Sequence, residues 1–166
     1  MSTAHIDLTD VMEHDDHGHH EQSFISKYIF STDHKVIAKQ FLISGIFWAL
    51  MGGIMSLIFR LQLGFPNMDM AWLRPFLGEW INIDAATGIG KLDTEFYLAL
   101  VTMHGTIMVF FVLTAGLSGT FSNFLIPLQI GARDMASGFM NMLSYWFFFT
   151  SSVIMFSSIF ISTGPA

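Results

Sequence analysis

Residues 100–111 read LVTMHGTIMVFF. They lie within a longer run, residues 96–130, that contains no Asp, Glu, Lys or Arg. A helix needs about 20 apolar residues to cross the hydrocarbon core of a bilayer, so this run predicts a membrane span. His104 is its single histidine. An ionisable group at that depth is costly, pairs with something, and marks a functional site by default. Imidazole is a strong axial ligand for haem iron. A neutral histidine hydrogen-bonded to a neighbouring helix is the alternative, and the helix alone leaves both open.

The composition fits a membrane protein. Of 166 residues, 52% are hydrophobic and 12% charged, with 18 Phe and 12 Met. Cysteine is absent, which excludes disulfides, thiolate metal sites and cysteine catalysis. The net charge of −6 is local. Residues 1–24 hold Asp7, Asp10, Glu13, Asp15, Asp16 and Glu21 and no Lys or Arg; the remainder balances seven acids against seven bases. No basic face suggests nucleic acid as a partner. The acidic, polar start does not resemble a cleavable signal peptide.

The chain divides at about residue 24. Residues 1–24 read as a disordered tail carrying His5, His14, His17, His19 and His20. The cluster HDDHGHH has the chemistry to bind Cu²⁺, Ni²⁺ or Zn²⁺, but a solvated tail is the simpler expectation. From residue 25 to 166 the chain reads as one membrane domain. An interfacial segment with Phe24, Tyr28, Phe30, Lys27, Lys35 and Lys39 comes first. Thr32 or Asp33 caps the helix after it, and His34 reads as an interfacial polar residue. Spans are expected over about 36–63, 94–127 and 139–162, with a hydrophilic loop over 64–93. ATGIGK in that loop lacks the Gly spacing and the following Ser/Thr of a phosphate loop. Lysines before the first span and Arg133 after the second fall on one side, so the positive-inside rule puts the N-terminus in the cytoplasm. Gly45, Gly52, Gly53, Ala115, Gly116, Ser118, Gly119 and Ser122 permit close helix contact; Ala115 and Gly119 have the small-xxx-small spacing.

Four further polar positions stand out. Arg60, at the outer end of the first span, is near the depth of His104; it either snorkels to the headgroups or meets a cofactor. His104 itself lies about 15 Å along its helix from the outer end. Gly105 beside it removes bulk where a flat macrocycle can approach. Asn123 is 19 residues from His104, about 100° around a regular helix. Asp134 and Asn141 bracket the start of the third span. Asp134 is either a charge complementing a helix terminus or, with amides leading inward, the start of a proton path.

Several stretches carry a family resemblance. These are FSTDHKVIAKQFL (30–42), SLIFRLQLGFP (56–66), VTMHGTIMVFF (101–111), SNFLIPLQIGARDM (122–135) and MNMLSYW (140–146). In that order and spacing they resemble the N-terminal part of cytochrome c oxidase subunit I, an A-type haem–copper oxygen reductase. The resemblance implies an all-α integral membrane fold, the three spans being the first of a twelve-helix bundle. It implies that His104 is an axial ligand of low-spin haem a and that Arg60 hydrogen-bonds its formyl group. It implies that Asp134 is the mouth of the D proton pathway, with Asn123 and Asn141 near the entrance. The family's other haem ligands, copper ligands and cross-linked tyrosine lie on later helices, so high-spin haem and copper belong to a downstream part. The chain is short for a whole subunit and reads as a piece of one.

There are departures from the family pattern. Asp33 stands where Asn is frequent, and Arg133 where Pro is frequent. LTAGLSGTFSNF (113–124) lacks the proline and glycine pair of many members, which bears on the bend of the second helix. Gln62 stands near an acid that in many members helps bind Ca²⁺ or Na⁺.

The expected activity of the complete subunit is reduction of oxygen to water with electrons from cytochrome c, coupled to proton pumping. Expected partners are membrane lipid, other oxidase subunits including a subunit II-like electron-entry subunit, and cytochrome c or another donor. A bacterial cytoplasmic membrane is the expected location. The alternatives are a quinol-oxidising member of the superfamily, or a non-enzymatic three-helix assembly or metal-handling protein.

Overall fold

A computed structural model of the protein describes residues 24–161. The histidine-rich tail expected over residues 1–24 lies, apart from Phe24, outside the described residues. The chain forms two compact units, divided between Phe30 and Ser31. In the first, a short π turn spans Ile25–Ile29. The rings of Phe24 and Tyr28 stand 4.9 Å apart there, and Lys27 Nζ is 5.6 Å from the Tyr28 ring.

The second unit is built on three helices, each long and apolar enough to cross a membrane. Helix α1 runs His34–Gly64. Asp33 caps it as the sequence predicts, its carboxylate accepting the Lys35 N–H at 2.9 Å. Thirty-one residues rise about 46 Å, longer than a hydrocarbon core, so the helix crosses at a tilt or protrudes. Its buried residues are His34, Ile37, Ala38, Phe41, Ser44, Gly45, Trp48, Gly52 and Met55. That spacing of three and four defines one face.

The segment after α1 is more ordered than a plain hydrophilic loop. After short helical turns, β1 (Ile81–Ile83) pairs antiparallel with β2 (Gly90–Leu92), with Asn82 opposite Lys91. The ATGIGK motif spans the end of the hairpin turn and the first two residues of β2. Asp84 accepts the Ala86 N–H, and Gly88 supplies a left-handed residue at φ 70°. Asp69 accepts both the Ala71 and the Gly90 N–H at 2.9 Å, which holds its carboxyl below the usual range. Gln62 Oε1 accepts the Leu92 N–H at 3.1 Å. Its amide is thus engaged near the position where the family often carries an ion-binding acid. Trp80 stacks on Phe96 with centroids 4.3 Å apart, tying the hairpin to the next helix.

Helix α2 runs Thr94–Ile130, capped by Asp93, which accepts from Glu95 and Phe96. It is not uniform. Thr94–Thr106 is α-helical, Ile107–Leu117 is π-helical, and Ser118–Ile130 is α-helical again. Threonine hydroxyls record the change. Thr106 and Thr120, in the regular parts, donate to carbonyls four residues back; Thr114 donates to Val109, five back, at 2.8 Å. The helix passes through Pro127, where the sequence predicted its end, and stops at Gly131 with φ 69°. Helix α3 runs Gly138–Ser157 and ends in a 3₁₀ turn, Ser158–Phe160.

α1 packs against both partners. At the α1–α2 crossing Gly45 and Gly116 meet backbone to backbone: a Cβ on Gly116 would lie 2.9 Å from Gly45 Cα. In lipid no hydrophobic driving force separates helix from solvent, so such close approach, with its dispersion contacts, is what holds helices together. Further along, Phe41 lies over Gly119, where a Cβ would be 2.8 Å from its ring. On the other side Phe41 stacks on Phe148 (5.4 Å) and meets Tyr145 edge-on (5.2 Å). A buried bond of 2.9 Å joins Ser44 Oγ to Tyr145 Oη. The remaining faces, with Ile43, Leu50, Phe110, Phe147 and Ile154, are apolar and exposed, as befits lipid or further helices.

Candidate functional site

The polar residues gather at two levels. At the first, His104 Nδ1 lies 2.8 Å from the carbonyl oxygen of Gly52 on α1. A carbonyl only accepts, so Nδ1 carries the proton, and in the neutral imidazole Nε2 then keeps its lone pair. Among the described residues nothing hydrogen-bonds Nε2. This is the usual arrangement of a ligating histidine, whose second nitrogen donates to a fixed acceptor that sets tautomer and orientation. A Cβ on Gly52 would meet Met108 Sδ at 2.9 Å, so a larger residue there would push that flexible side chain aside. The Phe59 ring stands against the imidazole, centroids 5.6 Å apart and planes at 67°. Gly105 is exposed, and a Cβ there would have no atom within 4 Å. The residues around His104 therefore fit a haem ligand: a lone pair directed by a tied tautomer, beside an open surface.

Arg60 is exposed and makes no hydrogen bond or ion pair among the described residues. It is eight residues beyond Gly52, about 12 Å further toward the C-terminal end of α1. Seven residues from Gly53, it shares that glycine's face. Nothing within the described residues takes up its charge, which leaves its five donors available to a group on that face.

The second level is at the other end of the bundle, where α1 begins and α2 gives way to α3. Gly138 abuts Thr32 there; a Cβ on it would lie 2.7 Å from the Thr32 carbonyl oxygen. His34 Nδ1 lies 2.8 Å from Asp134 Oδ1, and 3.6 Å from Asp33 Oδ1. The His34 side chain is 4% exposed and that of Asp134 54%. The same Asp134 oxygen accepts the Met135 N–H at 2.8 Å. That backbone donor first, and His34 second, hold the Asp134 carboxyl below the usual range.

The sequence suggested an interfacial polar residue at position 34; the structure adds a buried partnership at that end of the bundle. The signal was present, because His34 heads the buried series through Ile37, Phe41 and Ser44. Asp134 for its part accepts from no first-turn N–H of α3, so it does not act as a cap of that helix.

Asn123 is buried, its amide donating to the Gly119 carbonyl at 2.7 Å. Its oxygen accepts from Asn141 Nδ2 at 2.5 Å, across the α2–α3 interface. Asn123 and Asn141 are thus brought together, and no hydrogen bond joins either to Asp134. The angle of 100° between His104 and Asn123 assumed a regular helix, and the π segment removes that basis. Buried positions up to its first residue include Met103 and Ile107. Steps of seven would continue to Thr114 and Phe121, which are exposed. Gly116 and Asn123 are buried instead, a slip of two positions. Among the described residues no three of His, Cys, Asp and Glu cluster as a metal site.

Fold and site together define a multi-helix membrane protein with a tied, ligand-competent imidazole at membrane depth. The family model described as cytochrome c and quinol oxidase polypeptide I matches residues 36–166, and the chain belongs to that haem–copper oxidase family. It is 40% identical over 147 residues to alternative cytochrome c oxidase subunit 1 of Bradyrhizobium diazoefficiens, covering 89% of this chain and 22% of that protein. It is 39% identical over 145 residues to cytochrome c oxidase subunit 1 of Alkalihalophilus pseudofirmus, covering 87% and 20%. Quinol oxidase subunit 1 of Bacillus subtilis is 33% identical over 140 residues, with 84% and 18% covered. The chain thus spans about a fifth of the length of these relatives.

Proposed function

We propose that residues 25–166 are the N-terminal part of the catalytic subunit of a respiratory oxidase. The complete subunit reduces oxygen to water with electrons from cytochrome c and couples this to proton pumping. It resides in a bacterial cytoplasmic membrane, N-terminus inward, with other oxidase subunits, among them a subunit II-like electron-entry subunit. The observation that carries this reading is the His104–Gly52 bond, which leaves Nε2 as a directed donor at membrane depth. Haem a bound there supplies one-electron redox chemistry; high-spin haem and copper belong to the downstream part.

In this reading each residue has a distinct task. His104 would hold the iron, its tautomer fixed by the Gly52 carbonyl. Arg60 would donate to the formyl group. At the cytoplasmic end Asp134, charged and half exposed, attracts protons. Asn123 and Asn141 offer amides that hydrogen-bond water without holding a proton as a second carboxylate would. Quinol as the donor is the second reading, favoured by the Bacillus subtilis relative.

The test is an optical spectrum of the intact enzyme with and without His104→Leu. Loss of the low-spin haem band, with impaired assembly, is expected. A normal band in the variant overturns the assignment. Steady-state turnover with reduced cytochrome c against quinol then separates the two donors.

A further inference from the structure

We propose that Phe59 is a positioning residue for His104, the wall that sets the direction of its Nε2. The inference rests on the reading of His104 as an iron ligand. Phe59 comes from α1, yet its ring lies between two residues of α2. It meets His104 at 5.6 Å and 67°, and Tyr97 at 6.2 Å and 80°. Tyr97 and His104 are seven residues apart in the regular part of α2, so they share a face two turns apart. One ring is thus inserted between them, edge to face on both sides, an arrangement aromatic quadrupoles favour.

The geometry gives that ring a task. The imidazole of His104 is anchored at Cβ by the chain and at Nδ1 by the Gly52 carbonyl. Two fixed points leave one motion, rocking about the line between them. Nε2 is off that line, so rocking swings its lone pair. Phe59, set against the imidazole, blocks the motion, and Tyr97 in turn packs against Phe59. A leucine at 59 would fill part of the volume but present no flat wall.

The test uses the intact enzyme with Phe59→Leu and Phe59→Tyr, read by low-temperature electron paramagnetic resonance of the oxidised low-spin haem. The g-values report the orientation of the axial imidazole, which a purely structural role would not move at full haem content. Phe59→Leu is expected to keep one low-spin haem per enzyme but to broaden the signal and shift its g-values. Phe59→Tyr is expected to restore the wild-type line shape. Should Phe59→Leu fail to assemble, Tyr97→Leu removes only the ring packed against Phe59 and is expected to shift the signal the same way. A Phe59→Leu signal that superimposes on wild type overturns the proposal, as does an unshifted Tyr97→Leu signal in the fallback case. His104→Leu keeps the two ideas apart. If it abolishes the low-spin signal while the Phe59 variants are unshifted, ligation stands and only the positioning role falls.

Discussion

His34 Nδ1 and Asp134 Oδ1 lie 2.8 Å apart, joining residues separated by 100 positions in sequence. The bond ties the first turn of α1 to the segment between α2 and α3. It does so with a buried partner on one side and a half-exposed partner on the other. A half-exposed carboxylate is thereby held in place by a buried imidazole.

Replacing His34 by Leu removes the imidazole bond and leaves Asp134 the Met135 N–H and a weaker backbone contribution from residue 34. A hydrogen bond to a charged group contributes about 1.5–3 kcal/mol. Exposure of Asp134 reduces that, and we expect a loss of about 1 kcal/mol, read as faster thermal inactivation of the purified enzyme. The pH dependence follows from the lowered Asp134 value. A carboxyl depressed on folding contributes stability above its unfolded pKa, about 3.9, and loses it as pH falls through the folded value. The inactivation gap between wild type and Asp134→Asn should therefore be constant from about pH 7 to about pH 5 and shrink below about pH 4. A gap that closes between pH 7 and 5 would contradict the assignment.

Asp134→Asn removes the charge and keeps the size. Haem spectra should remain normal while oxygen consumption in vesicles falls by about an order of magnitude or more, because proton supply and not ligation is affected. Asn141→Asp places a charge against Asn123 and should disturb pumping more than turnover. Wild-type rates of consumption and proton release in Asp134→Asn would remove Asp134 from the proton path.

Arg60 has no partner among the described residues to keep it where it is, so its removal should cost the fold little. If it donates to a haem formyl group, Arg60→Met withdraws a hydrogen bond that tunes the macrocycle. The low-spin absorption band should then move to the blue and the midpoint potential should change. An unmoved band would return Arg60 to the role of a headgroup contact.

The three spans were legible in the sequence because hydropathy over 20 or more residues needs no knowledge of partners. His104 stood out on the same ground, as the one histidine in a span. His34 was legible by its spacing to Ile37, Phe41 and Ser44, but its place at a helix start beside lysines pointed to the interface. The hairpin was not legible: its strands have three residues each, too few for an alternation to show. Nor was the partnership of Asn123 and Asn141, since that depends on the phase of α2 after an irregular stretch. Hydrogen bonds five residues apart leave no signature in the apolar run IMVFFVLTAGL, and glycine contacts such as Gly45 with Gly116 appear only once two helices cross.

The π stretch Ile107–Leu117 has a consequence for which neighbours α2 can meet. In a regular helix, turning the end that carries Asn123 also turns the end that carries His104, because both are fixed to one rigid rod. Here the π turns reset the phase, so the imidazole end faces Gly52 on α1 while the amide end faces Asn141 on α3. A single regular rod would have turned Thr114 and Phe121 inward in place of Gly116 and Asn123.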